Sequence, residues 1–169
     1  MPTATTKEKV RALMAAQLGG ASFFLQIDGI KGESQAKGYE GQIDLQSFAW
    51  GNSNDESQGG AGGTASGKVT FQDFQFVAPA SKAGPQLMLH CATGKRIRRA
   101  VMTGRKQTGS AREYLKITLE EVRVVSYVSN GSSGDGGAPM DTASLRFGKI
   151  EVEYNTVKVS FDIAKNAGK

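Results

Sequence analysis

The sequence has one cysteine, Cys91, and one histidine, His90. A lone cysteine excludes an intramolecular disulfide, so folding needs no oxidising compartment. One Cys and one His also leave a transition-metal site poorly supplied with ligands. No apolar run approaches the length of a membrane span, so no membrane anchor is expected. The first residues do not read as a secretory signal. Lys7, Glu8, Lys9 and Arg11 are mixed in sign, and the apolar stretch 12–18 is short and interrupted by Gln17. The expectation is a chain that folds in the cytosol and leaves the cell, if it does, by a route other than general secretion.

The 169 residues suffice for one domain with its own core. Hydrophobic residues make up 38%, somewhat low for a globular domain, but most of the excess among the 22 glycines falls in two loops. Phe23, Phe24, Phe48, Trp50, Phe71, Phe74 and Phe76 supply bulk to the first half. The formal net charge of +5 permits attraction to a polyanion without requiring it.

Residues 6–18 predict a short amphipathic helix. Thr5 and Glu8 have capping-box spacing, Val10, Leu13, Met14 and Leu18 form one stripe, and Gly19–Gly20 end it. From Ala21 the period changes to two: Phe23, Leu25 and Ile27 share one strand face. Further strands are expected over 42–50, 69–77, 98–106, 113–128, 144–154 and 156–163. The switch of apolar parity near Asp73 predicts a bulge or a strand apolar on both faces. Val157, Val159, Phe161 and Ile163 alternate cleanly. One helix is expected over 82–92, with Ser81 as cap, Pro85 in its first turn and Gly94 closing it. Two polar loops cover 51–67 and 129–141. The fold class is mainly β: an antiparallel β-barrel with one central α-helix, preceded by a short N-terminal helical extension. The extension is placed at 1–21 and the barrel domain at 22–169.

Catalytic constellations are scarce. Residues 62–69 carry the glycine and lysine spacing of a phosphate-binding loop. That chemistry needs a hydroxyl beside the lysine and a helix to follow, whereas here Val69 comes next and a strand is expected. His90 and Cys91 are adjacent in a helix and point about 100° apart, which does not suit a nucleophile and its base. Cys91 is expected toward the core and His90 partly exposed. Glu120, Glu121, Glu151 and Glu153 read as solvated strand positions, and no carboxylate pair stands out as acid and base. No enzyme activity and no cofactor are expected. The basic run Lys95, Arg96, Arg98, Arg99, Arg105 and Lys106 has no interleaved aromatics for base stacking, so a solvated or subunit-contacting strand is expected rather than nucleic-acid binding.

Several stretches together carry a family resemblance. They are Phe24-Leu25-Gln26-Ile27-Asp28-Gly29, Ile43-Asp44-Leu45 followed by Ser47-Phe48-Ala49-Trp50-Gly51, Cys91-Ala92-Thr93-Gly94-Lys95, Tyr114-Leu115-Lys116-Ile117-Thr118-Leu119-Glu120-Glu121-Val122, and Ser144-Leu145-Arg146-Phe147-Gly148-Lys149-Ile150. In order and spacing these resemble the haemolysin-coregulated proteins (Hcp), inner-tube subunits of type VI secretion systems. Phe48 stands where the family more often has Trp.

The resemblance implies a homohexameric ring, rings stacked into a hollow tube, a trimeric spike of the VgrG type at its tip, and a contractile sheath around it. It also implies small effector proteins held in the lumen and export of the tube itself. Gly51, Asn52, Ser53, Asn54, Asp55, Glu56, Gly59, Gly60, Gly62, Gly63 and Gly67 would belong to the loop that contacts the next ring. Ala49, and Ser47 by alternation, would face the channel. Ile43 and Leu45 share that parity yet read as core, so either a bulge intervenes between the pairs or the channel begins late in the strand. Most members of the family it resembles begin close to the first strand. Residues 1–21 are therefore read either as an extension outside the barrel or as a helix docked on the ring. A phage-type tail-tube protein is the nearest alternative, and a monomeric polyanion-binding barrel a more distant one.

Overall fold

The computed structural model describes residues 20–55, 68–107, 112–134 and 137–169. The helix expected over 6–18 lies outside them. Two antiparallel sheets face each other across one core and share a single long strand.

The first sheet runs β12 (Ala167–Gly168), β11 (Val157–Asp162), β10 (Lys149–Tyr154), β8 (Glu113–Asn130), β7 (Ile97–Lys106), β1 (Ala21–Ile27), β2 (Ile43–Leu45). The second contains β3 (Ser47–Ala49), β6 (Phe74–Pro79), β9 (Met140–Arg146) and the second half of β8. The sole helix among the described residues, α1 (Ala83–Thr93), packs on β8.

Two corners turn the sheets over one another. The first is in β8, whose residues 115–120 pair with β10 and 123–130 with β9. Glu121, between the two partners, adopts φ 54, and a register shift follows between Val124 and Ser126. The second corner is Gln46, where the chain leaves β2, paired to β1, and enters β3, paired to β6. The Gln46 N–H donates to the Val77 carbonyl at 2.8 Å. This change of partner, rather than a bulge within one strand, separates the two pairs: Ile43 and Leu45 are buried, Ser47 and Ala49 exposed.

The core joins Leu25, Ile27, Ile43, Phe74, Phe76, Met102, Ile117, Leu119, Val122 and Leu145. Phe48 stacks on Phe74 with centroids 5.8 Å apart and meets Phe23 edge-on at 5.0 Å. The outer face of the first sheet is partly covered by the segment between β1 and β2. Its Tyr39 ring stacks on Phe24 at 4.2 Å, and the Tyr39 hydroxyl donates to Glu113 Oε1 at 2.6 Å. Gly32 threads this cover against the main chain of Gln42: an added Cβ would overlap the Gln42 carbonyl and stand 2.7 Å from Ile43 N.

Several expectations are corrected. The stretch 69–77 is two strands, β5 (Lys68–Phe71) and β6, interrupted at Gln72 and Asp73; the parity switch marks a change of partner, since β5 pairs with β4 (Asn52–Asp55) and β6 with β9. The stretch 144–154 is likewise β9 and β10, divided at Phe147 and Gly148 because each half pairs with a different half of β8. The helix starts at Ala83; Ser81 Oγ still accepts from the Ala83 N–H at 3.2 Å, and Gly94 closes it at φ 64. His90, not Cys91, is the more buried of the pair, because the helix turns Ala83, Gly84, Leu87 and His90 inward. The His90 Nδ1 lies 2.7 Å from the Gln86 carbonyl, and Cys91 sits at the margin of the core. The alternating β11 buries only part of its apolar face: Val157 and Val159 stand in solvent.

Candidate functional site

The outer face of the second sheet is a continuous surface without a formal charge at its centre. Pairing sets Ser47 opposite Val77 and Ala49 opposite Gln75, then Gln75 opposite Ser144 and Val77 opposite Thr142, then Ser144 opposite Ser126 and Thr142 opposite Val128. Alternate residues on these strands, Phe48, Phe76, Ala143 and Leu145, turn into the core, which leaves this set outward. Ser47 and Ala49 are exposed within it. The sequence reading named only these two. Gln75, Val77, Ser126, Val128, Thr142 and Ser144 complete the face, and the alternation of Phe74/Phe76 on β6 and Ala143/Leu145 on β9 is the signal for the members on those two strands. Arg123 and Arg146, paired across β8 and β9, mark one end of the surface, where Arg146 Nε lies 3.2 Å from Asp73 Oδ1.

Beside that face the chain leaves the body as a two-stranded ribbon. Asn52 pairs with Phe71, Ser53 with Thr70, Asn54 with Val69 and Asp55 with Lys68. The Gln72 N–H donates to the Gly51 carbonyl at 2.8 Å and closes its base. Phe71 ties the ribbon to the core, 5.2 Å from Phe161 and 6.0 Å from Phe147 between ring centroids. The expected stacking loop therefore begins as paired strand from Asn52 to Asp55. Glu56, Gly59, Gly60, Gly62, Gly63 and Gly67 lie outside the described residues.

A family profile described as "Type VI secretion system effector, Hcp" matches residues 24–154. The chain belongs to the Hcp family. It is 39% identical over 146 residues to protein hcp1 of Pseudomonas aeruginosa, covering 86% of this chain and 88% of that protein. The crystal structure of Hcp1 from Salmonella typhimurium superimposes with a TM-score of 0.77 at 31% identity, over 88% of this chain and 99% of that one. A structure titled as a type six secretion system protein reaches 0.82 at 19% identity, over 89% of this chain and 100% of that one, a likeness of fold.

Elsewhere this Hcp-family chain ties up its conspicuous charges. Arg96 reaches Glu121 at 3.7 Å and Arg98 reaches Asp28 at 3.5 Å. Arg105 lies over the Tyr39 ring and Lys106 over the Tyr114 ring, at 5.8 and 5.4 Å from the centroids. Four of the six basic residues thus meet acids or ring faces within the fold, while Lys95 and Arg99 make no ion pair among the described residues. Burial, then the Glu113 carboxylate, push the Tyr39 hydroxyl up to about 12. Among the described residues no three His, Cys, Asp or Glu side chains are gathered as metal ligands. An open groove of about 700 Å³ beside the start of α1 is lined by Asp28, Lys31, Glu40 and Lys82, a mixed set that singles out no reaction. No helix among the described residues is long and apolar enough to cross a membrane.

Proposed function

We propose that this chain is a structural subunit of the type VI inner tube. Copies close into a homohexameric ring, rings stack into a tube, and the face made by Ser47, Ala49, Gln75, Ser126, Thr142 and Ser144 lines the channel. The observation that carries this reading is the chemistry of that face. A wall along which cargo must slide needs small, uncharged groups that bind passing protein weakly, and a face of Ser, Thr, Ala and Gln, with Val77 and Val128 as its only larger apolar members, meets that need. Small effector proteins would be held there before delivery. The β4–β5 ribbon, extending beside the same face, is suited to reach a neighbouring ring, with Gly51 at its base and Asn52, Ser53, Asn54 and Asp55 in its rising strand. The trimeric spike and the contractile sheath are the further partners. The subunit acts by shape and assembly rather than by catalysis, and reaches the extracellular space as part of the tube.

Native mass measurement and negative-stain imaging of the untagged chain over a range of concentrations test the proposal. Sixfold rings that stack at high concentration are expected. A monodisperse monomer at every concentration would overturn it.

A further inference from the structure

The inner face of the first sheet is only partly covered by the second. One row of that face crosses five strands: Phe23, Gly104, Leu115, Tyr154 and Val157 are paired in turn. Phe23 and Leu115 pack against the core, but Tyr154 and Val157 are 52% and 65% exposed. Val159, paired with Val152 in the next row along the face, is 53% exposed. The Tyr114 ring meets Tyr154 edge-on at 5.9 Å and extends this patch toward β7. Glu151, Glu153 and Lys158 alternate onto the opposite face, so these five side chains form an apolar patch without a formal charge among them.

Gly20 lies at the border of this patch. Its carbonyl accepts from the Gln107 N–H at 2.8 Å, and Ala21 pairs with Lys106, whose Nζ stands 5.4 Å from the Tyr114 centroid. Residues 1–19 precede this point, and the sequence predicts an amphipathic helix over 6–18 with Val10, Leu13, Met14 and Leu18 on one stripe. Such a helix is about 20 Å long at ~1.5 Å per residue. Four strand spacings of ~4.8 Å separate β1 from β11, again about 20 Å. The partial negative charge at the helix C-terminus would meet Lys106 and its neighbour Arg112, whose carbonyl accepts from the Lys106 N–H at 3.1 Å. The exposed Met88 and Leu89 of α1 are at the other end of the fold. Gly84 of α1 lies against Tyr127, and about 40 Å of strand, at ~3.3 Å per residue, runs from Leu115 to Tyr127. A helix tethered to Gly20 through Gly19 alone does not reach that far.

We infer that residues 6–18 fold back as a helix over the bare end of the first sheet, laying Val10, Leu13, Met14 and Leu18 on Tyr114, Tyr154, Val157 and Val159 of the same chain. A helix this short is marginal alone in water, and an uncovered apolar face invites association; each supplies what the other lacks. The segment is a cover carried by the chain itself, and while it is docked the face is closed to other proteins. The inference stands apart from the ring reading.

Hydrogen exchange of the full chain, read by mass spectrometry over residues 6–18, tests this. An undocked helix of this length gives almost no protection, so exchange slowed at least about tenfold relative to a free peptide of the same residues reports docking. Val157→Asp, at an exposed position, and Leu13→Asp, within the segment, should each abolish that slowing, while Leu89→Asp, on the distant helix, should leave it intact. Exchange in the parent as fast as in the free peptide would overturn docking, and protection lost with Leu89→Asp but kept with Val157→Asp would overturn its place. A disulfide test separates a cover in the same chain from one supplied by another copy. Leu13→Cys with Val157→Cys, in a Cys91→Ser background, should on oxidation give a species that keeps the 17.9 kDa mass of one chain under denaturing, non-reducing conditions. A ladder of linked chains would overturn the inference, because the patch would then be covered by a second copy. Neither readout depends on whether rings form, so loss of the ring reading leaves this one to stand or fall by itself.

Discussion

The two sheets show opposite outer faces. That of the first carries the ion pairs Lys158–Glu151 at 2.9 Å and Lys149–Glu120 at 3.6 Å, with Glu153 beside them, and is partly roofed by Tyr39 and its segment. That of the second is bare and uncharged at its centre, built from Ser47, Ala49, Gln75, Val77, Ser126, Val128, Thr142 and Ser144. Both sheets turn the same kind of residue inward, so core packing does not explain the difference. The charged, roofed face has the chemistry of a surface that meets solvent and fixed neighbours. The bare one is the face proposed above as the channel wall.

The roof is where the contrast can be broken hardest. Gly32→Ala drives a Cβ into the Gln42 main chain, which cannot yield as a side-chain end would. A loss on the order of 3 kcal/mol is expected in denaturant unfolding, and a change below about 0.5 kcal/mol would show that the roof is dispensable. Tyr39→Phe is smaller. It keeps the stack on Phe24 and removes the bond to Glu113, for about 1 kcal/mol.

The same hydroxyl gives a pH signature. Its folded value, about 12, lies above the ordinary value near 10. Its contribution should therefore be whole below about pH 10 and be lost as pH rises through about 12. Melting curves of the parent should fall across that window more than those of Tyr39→Phe, and parallel curves would remove the hydroxyl as the cause. Smaller again is the Lys149–Glu120 pair. Both side chains are well exposed, and a double-mutant cycle should return about 0.2–1 kcal/mol, weakening with salt. The smallest effect on stability is expected on the bare face. Ala49→Glu should change unfolding by less than about 0.5 kcal/mol and leave ring mass unaltered, while co-purified effector falls. Cargo retained at the parent level would refute the channel assignment.

Strand periodicity made most of the fold legible. β1, β7 and β8 lie close to their expected places because alternation is a local consequence of burying one face. The corners were harder to read. Phe71, Phe74 and Phe147 all reach the core from either side of a break, so the apolar pattern runs on through a change of partner; only the parity switch near Asp73 showed it. Alternation in β11 correctly marked a face but not its cover, which depends on how far the opposite sheet extends. The phase of α1, and with it the exchange of His90 and Cys91, was fixed by contact with β8 rather than by the helix itself. Of the bare face, Ser47 and Ala49 were found through the family resemblance. Gln75, Ser126, Thr142 and Ser144 emerged only when pairing set them side by side. Tyr39 on Phe24 is a long-range contact with no local signature.

The strand β8 belongs to both sheets, and this orders events at the ribosome. Neither sheet can be completed until residues 113–130 have emerged, and two of that strand's partners, β9 and β10, are translated later still. Non-local pairing of this kind forms slowly and late. The growing chain therefore spends most of its synthesis with Phe23, Phe48, Phe74 and Phe76 lacking their final neighbours, and depends on its Gly- and Ser-rich stretches and net positive charge to remain in solution. Tube subunits made in quantity would then be limited less by how firmly the finished barrel holds than by how many nascent chains reach the end of β10, at residue 154, before meeting one another.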